Sequence, residues 1–146
     1  MRVVARVKSA KGIRAALKGV DDATREAAAA ALRDVADDVA ARAVELILDP
    51  PKTGRIYERG EGFGTHQASA PGEAPASDTG KLANEIGVDR VDLARLRVAI
   101  FSSAKYSAFL EFGTSRMAPR PFLRRALREM GPRIVDYLKA RGINVK

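Results

Sequence analysis

No cysteine occurs in the 146 residues, which excludes disulfides, thiolate nucleophiles and cysteine metal sites together. Tryptophan is absent too, and aromatics make up only 5% of a chain that is 46% hydrophobic. Alanine therefore supplies much of the apolar content, which predicts a modest core and a subunit that needs neighbours to finish burying its surface. The single histidine, His66, has no second imidazole to share a metal with and no carboxylate at a ligand spacing, so no metal or other cofactor is expected. Ser69 lies three residues on, but no third member completes a nucleophile, base and orienting group. Long apolar runs are missing as well: none approaches the roughly 20 residues of a membrane span. The opening MRVVARVKSAKG threads basic residues through its apolar positions, unlike a secretory signal.

What is present is positive charge, 26 Lys and Arg against 18 Asp and Glu for a formal net of +8. Such a surface attracts polyanions or an acidic protein face and speeds association. The length fits one domain over residues 1–146. Residues 2 to 8 are β-branched with partial alternation and predict a strand, and Gly12 to Val20 a short helix. The clearest periodicity follows. Asp21 or Asp22 caps a long helix whose apolar face is Leu32, Val35, Ala36, Val39, Ala43, Leu46 and Ile47, and Asp49-Pro50-Pro51 ends it. Arg33 with Asp37 and Asp38 with Arg42 are spaced to pair on its outer face, where the acidic cluster reads as solvated rather than catalytic.

Residues 52 to 80, KTGRIYERGEGFGTHQASAPGEAPASDTG, carry glycine and proline in place of periodicity, apart from a short strand around Arg55 to Glu58. Gly60-Glu61-Gly62-Phe63-Gly64 lacks the following helix and the Gly-Lys-Ser/Thr triplet of a phosphate loop. The expectation is a mobile loop, about residues 50–79, whose residues 58–78 order on a partner. A short helix capped at Asp78 or Thr79 comes next, then a hairpin from IGVDRVD and ARLRVAIFS, then a helical turn or two over residues 105 to 112. Pro121 suits the first turn of a last helix through Phe122, Leu123, Leu127, Ile134 and Leu138, kinked at Gly131-Pro132. The fold class is α+β, with a small, largely antiparallel sheet packed by a long N-terminal helix and a C-terminal helix. Arg120, Arg124 and Arg128 recur at helical spacing and are candidate phosphate contacts. No helix-turn-helix, stacking aromatic pair or zinc finger accompanies them, and arginine equally favours protein interfaces.

Three strings, KTGRIY (52 to 57), HQASAPGEAPASDTGKL (66 to 82) and YSAFLEFGTSRMAPRPFLRRAL (106 to 127), occur in this order. Together they resemble the gene-product-ten-like family of neck and tail-completion proteins of long-tailed phages of the HK and lambda types, and of prophages. The matching positions are Thr53, Gly54 and Tyr57; Ala70, Pro71, Gly72, Pro75, Thr79 and Gly80; then Tyr106, Glu111, Phe112, Gly113, Thr114, Pro119, Pro121 and Phe122. Arg125 stands where the family's pattern has proline.

The resemblance implies a structural virion subunit without catalysis, assembled in the bacterial host cytoplasm. It implies a ring-like homo-oligomer joining the portal-bearing head to the tail tube, contacting other neck proteins, with DNA passing through without sequence-specific contact. Subunit or partner contacts are expected at Tyr57, His66, Pro71, Glu73 and Pro75 in the loop, and at Tyr106, Glu111, Phe112, Gly113, Thr114, Arg116, Arg120, Pro121 and Phe122 around the Gly113 corner. If Glu111 is buried there, it needs an arginine or several amide donors. The alternatives are a tail terminator capping the tube and, in another class, a small basic nucleic-acid-binding protein.

Overall fold

Asp21 closes the N-terminus of the longest element: its Oδ1 accepts from the Thr24 amide at 2.7 Å, and helix α1 follows over Asp22–Leu48. The computed structural model describes residues 3–8, 19–49 and 51–144; most of the helix expected over residues 12 to 20 lies outside them. The whole expected apolar face of α1, from Leu32 to Ile47, is buried. Ala28, Ala31, Ala36 and Ala43 on the same side are small enough to let neighbouring elements approach closely.

Those neighbours are a sheet and the C-terminal helices. Strands β1 (Val3–Lys8), β4 (Ile86–Val88) and β5 (Arg97–Ser102) pair antiparallel in the order β1-β5-β4, with Val3 and Ile86 both opposite Ser102. Along β5, Val98, Ile100 and Ser102 are buried and alternate with half-buried residues, the period-2 pattern of a strand with one face on the core. Between these strands in sequence lies a separate hairpin, β2 (Ile56–Glu58) with β3 (Thr65–Gln67), in which Tyr57 faces His66. Helix α2 (Lys81–Asn84) begins after Gly80, one position later than the expected Asp78 or Thr79 cap; the Gly80 amide instead donates to Ser77 Oγ.

The remaining chain is α3 (Ser107–Phe112), α4 (Leu123–Met130), a 3-10 turn (Gly131–Arg133) and α5 (Ile134–Ala140). The last helix is therefore divided rather than only kinked, because Pro132 offers no amide to continue the α ladder. Phe122, Leu123, Ala126 and Leu138 from this end complete the core against α1. Each fully buried large apolar side chain contributes about 1.5–3 kcal/mol, so this shared face outweighs the surface charges.

The charges nevertheless organise the flank. The Arg33–Asp37 pair forms as expected at 3.0 Å, but Asp38 and Arg42 do not pair with each other. Asp34, Asp38 and Arg42 make one stripe beside α4 and α5, and each reaches across. Asp34 pairs with Arg141, Asp38 accepts from Arg133 at 2.6 Å and the Tyr137 hydroxyl at 2.7 Å, and Arg42 pairs with Glu129 at 2.6 Å. The acidic side chains stay partly exposed, Asp34 at 39% and Asp38 at 29%, but the C-terminal helical segments rather than the next turn of α1 supply their partners.

Candidate assembly site

The residues around Gly113 form a rigid corner, and its backbone explains why. Helix α3 leaves its last four carbonyls, Phe109 to Phe112, without partners inside the helix, and three of them find partners beyond it. The Gly113 amide donates to Phe109 O at 2.9 Å, the Arg120 amide to Leu110 O at 2.7 Å, and the Arg124 guanidinium to Glu111 O at 2.6 Å. Gly113 itself sits at φ +76° and ψ −178°, and a Cβ there would lie 2.7 Å from Met117 O. Only glycine fits that conformation and that space. Thr114 and Met117 then bridge a tight turn that sends the chain back through Pro119 to Pro121.

Glu111 holds the far side of the corner. Its side chain is fully buried, and one carboxylate collects the amides of Phe122 (2.9 Å), Leu123 (3.1 Å) and Arg124 (2.9 Å) together with Arg124 Nε (3.0 Å). It is thus the N-terminal cap of α4, delivered from a helix eleven residues earlier. A negative charge at a helix N-terminus meets both the unpaired amides and the positive end of the dipole. The condition stated from the sequence, an arginine or several amides, is met by both. Arg124 completes the unit by lying over the Phe112 ring, 5.0 Å from its centroid.

The loop strings converge on the same place. Gly54 lets the chain pass so close to residues 68–69 that a Cβ would stand 2.6 Å from Ala68 O, and its amide donates to that oxygen at 3.0 Å. Glu73 ties the loop ends: it accepts from the Thr53 hydroxyl at 2.5 Å, the Ala70 amide at 2.8 Å and the Thr53 amide at 3.1 Å. The Thr53 hydroxyl first, then the Ala70 and Thr53 amides, hold the Glu73 carboxyl below its ordinary range against the opposing effect of burial. Two bonds fasten this loop to the corner, from the Gly72 amide to Pro119 O (3.1 Å) and from Arg120 Nε to Ser69 O (3.2 Å). Between them opens a cleft of about 350 Å³ whose walls include His66, Pro75, Leu82, Tyr106, Leu110 and Arg120.

A family model described as "Bacteriophage HK97-gp10, putative tail-component" matches residues 11–113. The chain belongs to this family. As an HK97-gp10-like protein it is a phage tail-component protein, a structural role that makes it part of a virion. No curated protein and no solved structure matches it. Among the described residues no helix is long and apolar enough to cross a membrane.

The HK97-gp10-like chain places its sequence-selected residues in three settings. His66, Pro75, Tyr106 and Arg120 share the cleft, and Tyr57 stands beside His66 on the hairpin, exposed. Glu111 and Phe122 lie inside the subunit, where they shape the corner, while Phe112, Thr114 and Arg116 are exposed on its outer side and Pro71 on the loop. Pro121 is half-buried just before the α4 cap position, Phe122, rather than inside the helix's first turn. The three arginines do not form one helical stripe: Arg120 precedes α4 and bonds to Ser69 O, Arg124 serves Glu111, and Arg128 is exposed on the helix. Arg125, in the family's proline position, pairs with Glu129 at 3.0 Å. His66 Nδ1 lies 3.3 Å from an Arg59 nitrogen, and Arg59 is paired with Asp78. Sequence reasoning missed Phe63 and Phe109, both strongly exposed; a large aromatic between glycines in a loop, and one in a short helix outside its buried face, were the available signals.

Proposed function

We propose that this tail component works as an oligomeric subunit at the joint between head and tail, connecting the portal-bearing head to the tail tube. The observation that carries this reading is the outer face of the corner. Tyr106, Phe109 and Phe112 are exposed together on an element made rigid by the Glu111 cap and the Gly113 turn. Adjacent exposed aromatics on a rigid frame mark contact surfaces in soluble proteins, and aromatic residues are enriched at interface cores. The modest alanine-rich core fits a protein that reaches full burial only among copies and neighbours. DNA then passes the assembled subunit without being read. Two of the three arginines in the nucleic-acid reading are engaged inside the subunit, which leaves that reading less to bind with.

The test is solution mass by light scattering, alone and with tail tubes or DNA-filled heads lacking the protein, together with recovery of infectious particles. Formation of a multimer alone or on either partner, with infectivity restored, is the expected result. A monomer that ignores both partners and binds DNA with a steep salt dependence would reject the reading. The partner that recruits the multimer, tube or head, separates a terminator from a completion protein.

A further inference from the structure

Among the described residues, and apart from the single exposed side chains of Val4, Leu48 and Leu93, two groups of large apolar side chains are left uncovered. One is the outer face at α3, where Tyr106, Phe109 and Phe112 are 40%, 55% and 57% exposed. The other is the β2–β3 hairpin, which carries Ile56, Tyr57 and, near its tip, Phe63 at 77% exposure. Among the described residues the hairpin joins no other strand, and every residue from 55 to 65 except Arg59 is exposed.

The hairpin tip and the α3 rim carry opposite charge, while Arg55 at the base of the hairpin lies over the Tyr57 ring, 5.4 Å from its centroid, away from the tip. Beside Phe63 stand Glu58 and Glu61, neither in an ion pair among the described residues, whereas the neighbouring Arg59 is taken by Asp78. Beside the α3 face stand Lys105 and Arg116, likewise without ion-pair partners among the described residues, whereas Glu111 and Arg124 satisfy each other. Pairing either surface with its own copy would set like charges together, and pairing one with the other sets unlike charges together.

We propose that the hairpin tip of one copy docks on the α3 face of the next, Phe63 packing against Phe109 and Phe112 while Glu58 and Glu61 face Lys105 and Arg116. The inference rests on the assembly reading above and names the surfaces that carry it. Such a contact is head-to-tail, so repeated copies form a closed ring or an open filament. Aromatic side chains bury about 150–250 Å² each when fully covered, so these partly exposed residues offer a few hundred Å² of apolar surface, below the roughly 1,000 Å² a stable specific interface clears. Contact between two copies is therefore weak alone and gains strength when several copies close or when a tail tube holds them in register.

Phe63→Ser and Phe109→Ser test the pairing, because each change lies on an exposed side chain and should leave the melting temperature close to the parent's. Self-association is read by sedimentation in solution and by crosslinking on tail tubes. Each variant alone is expected to associate at least about tenfold more weakly than the parent. Mixed in equal amounts on tail tubes, which hold copies in register, they should crosslink as pairs and nothing larger, since one subunit keeps an intact hairpin and the other an intact α3 face. Glu58→Lys with Glu61→Lys should likewise block association, and a partner carrying Lys105→Glu with Arg116→Glu should restore it in an alternating assembly, because the reversed hairpin meets the reversed face and the unaltered hairpin meets the unaltered face. If the parent multimerises and Phe63→Ser does so equally, or if the mixed phenylalanine variants give no more crosslinked pairs on tail tubes than either variant alone, the pairing is wrong while the assembly reading stands. If the parent associates neither in solution nor on tubes or heads, the assembly reading itself fails.

Discussion

Replacing Glu111 by alanine removes the one group that satisfies three buried amides at the start of α4. The amides of Phe122, Leu123 and Arg124 all point at this carboxylate within 3.1 Å, and Phe122 and Leu123 are themselves fully buried, so water reaches the vacated site poorly. A buried donor left unpaired costs about 1–3 kcal/mol. Some of that is recovered as the first turn of α4 relaxes, which leaves about 3–5 kcal/mol for Glu111→Ala, the range found when a buried charge pair loses one member. For a chain of this size the melting temperature should fall by about 10–15 °C. Arg124→Ala removes the other partner, but its side chain is 52% exposed and the three amides stay bonded to Glu111, so the loss should be about 1 kcal/mol. Glu111→Gln, with one acceptor oxygen instead of two, falls between. Urea unfolding followed by circular dichroism measures all three, and amide exchange at residues 122–124 localises the damage. The reasoning is refuted if Arg124→Ala costs as much as Glu111→Ala, or if Glu111→Ala costs under about 1 kcal/mol.

Gly113→Ala combines a conformation closed to alanine with a Cβ 2.7 Å from a carbonyl oxygen, and should cost about 2–4 kcal/mol in the same assay. Gly62, at φ +88° with open space around it, supplies the comparison: Gly62→Ala should cost only about 1–2 kcal/mol, and equal losses at the two sites would remove the steric part of the argument. The Glu73 link predicts a pH dependence. Its carboxyl is held below the ordinary 4.5 in the folded chain, so the stability it adds is present above that value and is lost as pH falls through the lowered one. Amide proton shifts of Thr53 and Ala70 should titrate together with a midpoint under 4.5, and a midpoint at or above it would contradict the assignment.

Long-period features were readable from the sequence because one residue type repeats at a fixed spacing. The buried face of α1, its Asp21 cap and its end at the prolines are cases, as are β1 and the β4–β5 hairpin. Features decided by distant partners were not. Strand β3 is three exposed or half-exposed polar residues, Thr65–Gln67, with no hydrophobic alternation to reveal it. Asp38 and Arg42 have the spacing of a helical pair, and only the neighbouring helices redirect them. The start of α4 at Leu123 was displaced from Pro121 because its capping carboxylate comes from Glu111 rather than from the residues just before it. At the candidate site, the glycines and Glu111 announced a constrained corner. Which of its aromatics face outward required the fold: Phe122 is buried, whereas Phe112 lies under Arg124 at the surface.

Strand β1 leaves the ribosome well before β5, the strand it pairs with, which begins only at Arg97. At about 5–20 residues per second, its backbone edge waits roughly 5–20 s for a partner during synthesis. An unpaired β-branched strand is a site where nascent chains stick to one another. Arg6 and Lys8 interrupt that run with positive charge. Two like charges on such a strand oppose its pairing with the same strand of a neighbouring nascent chain before each closes its own sheet.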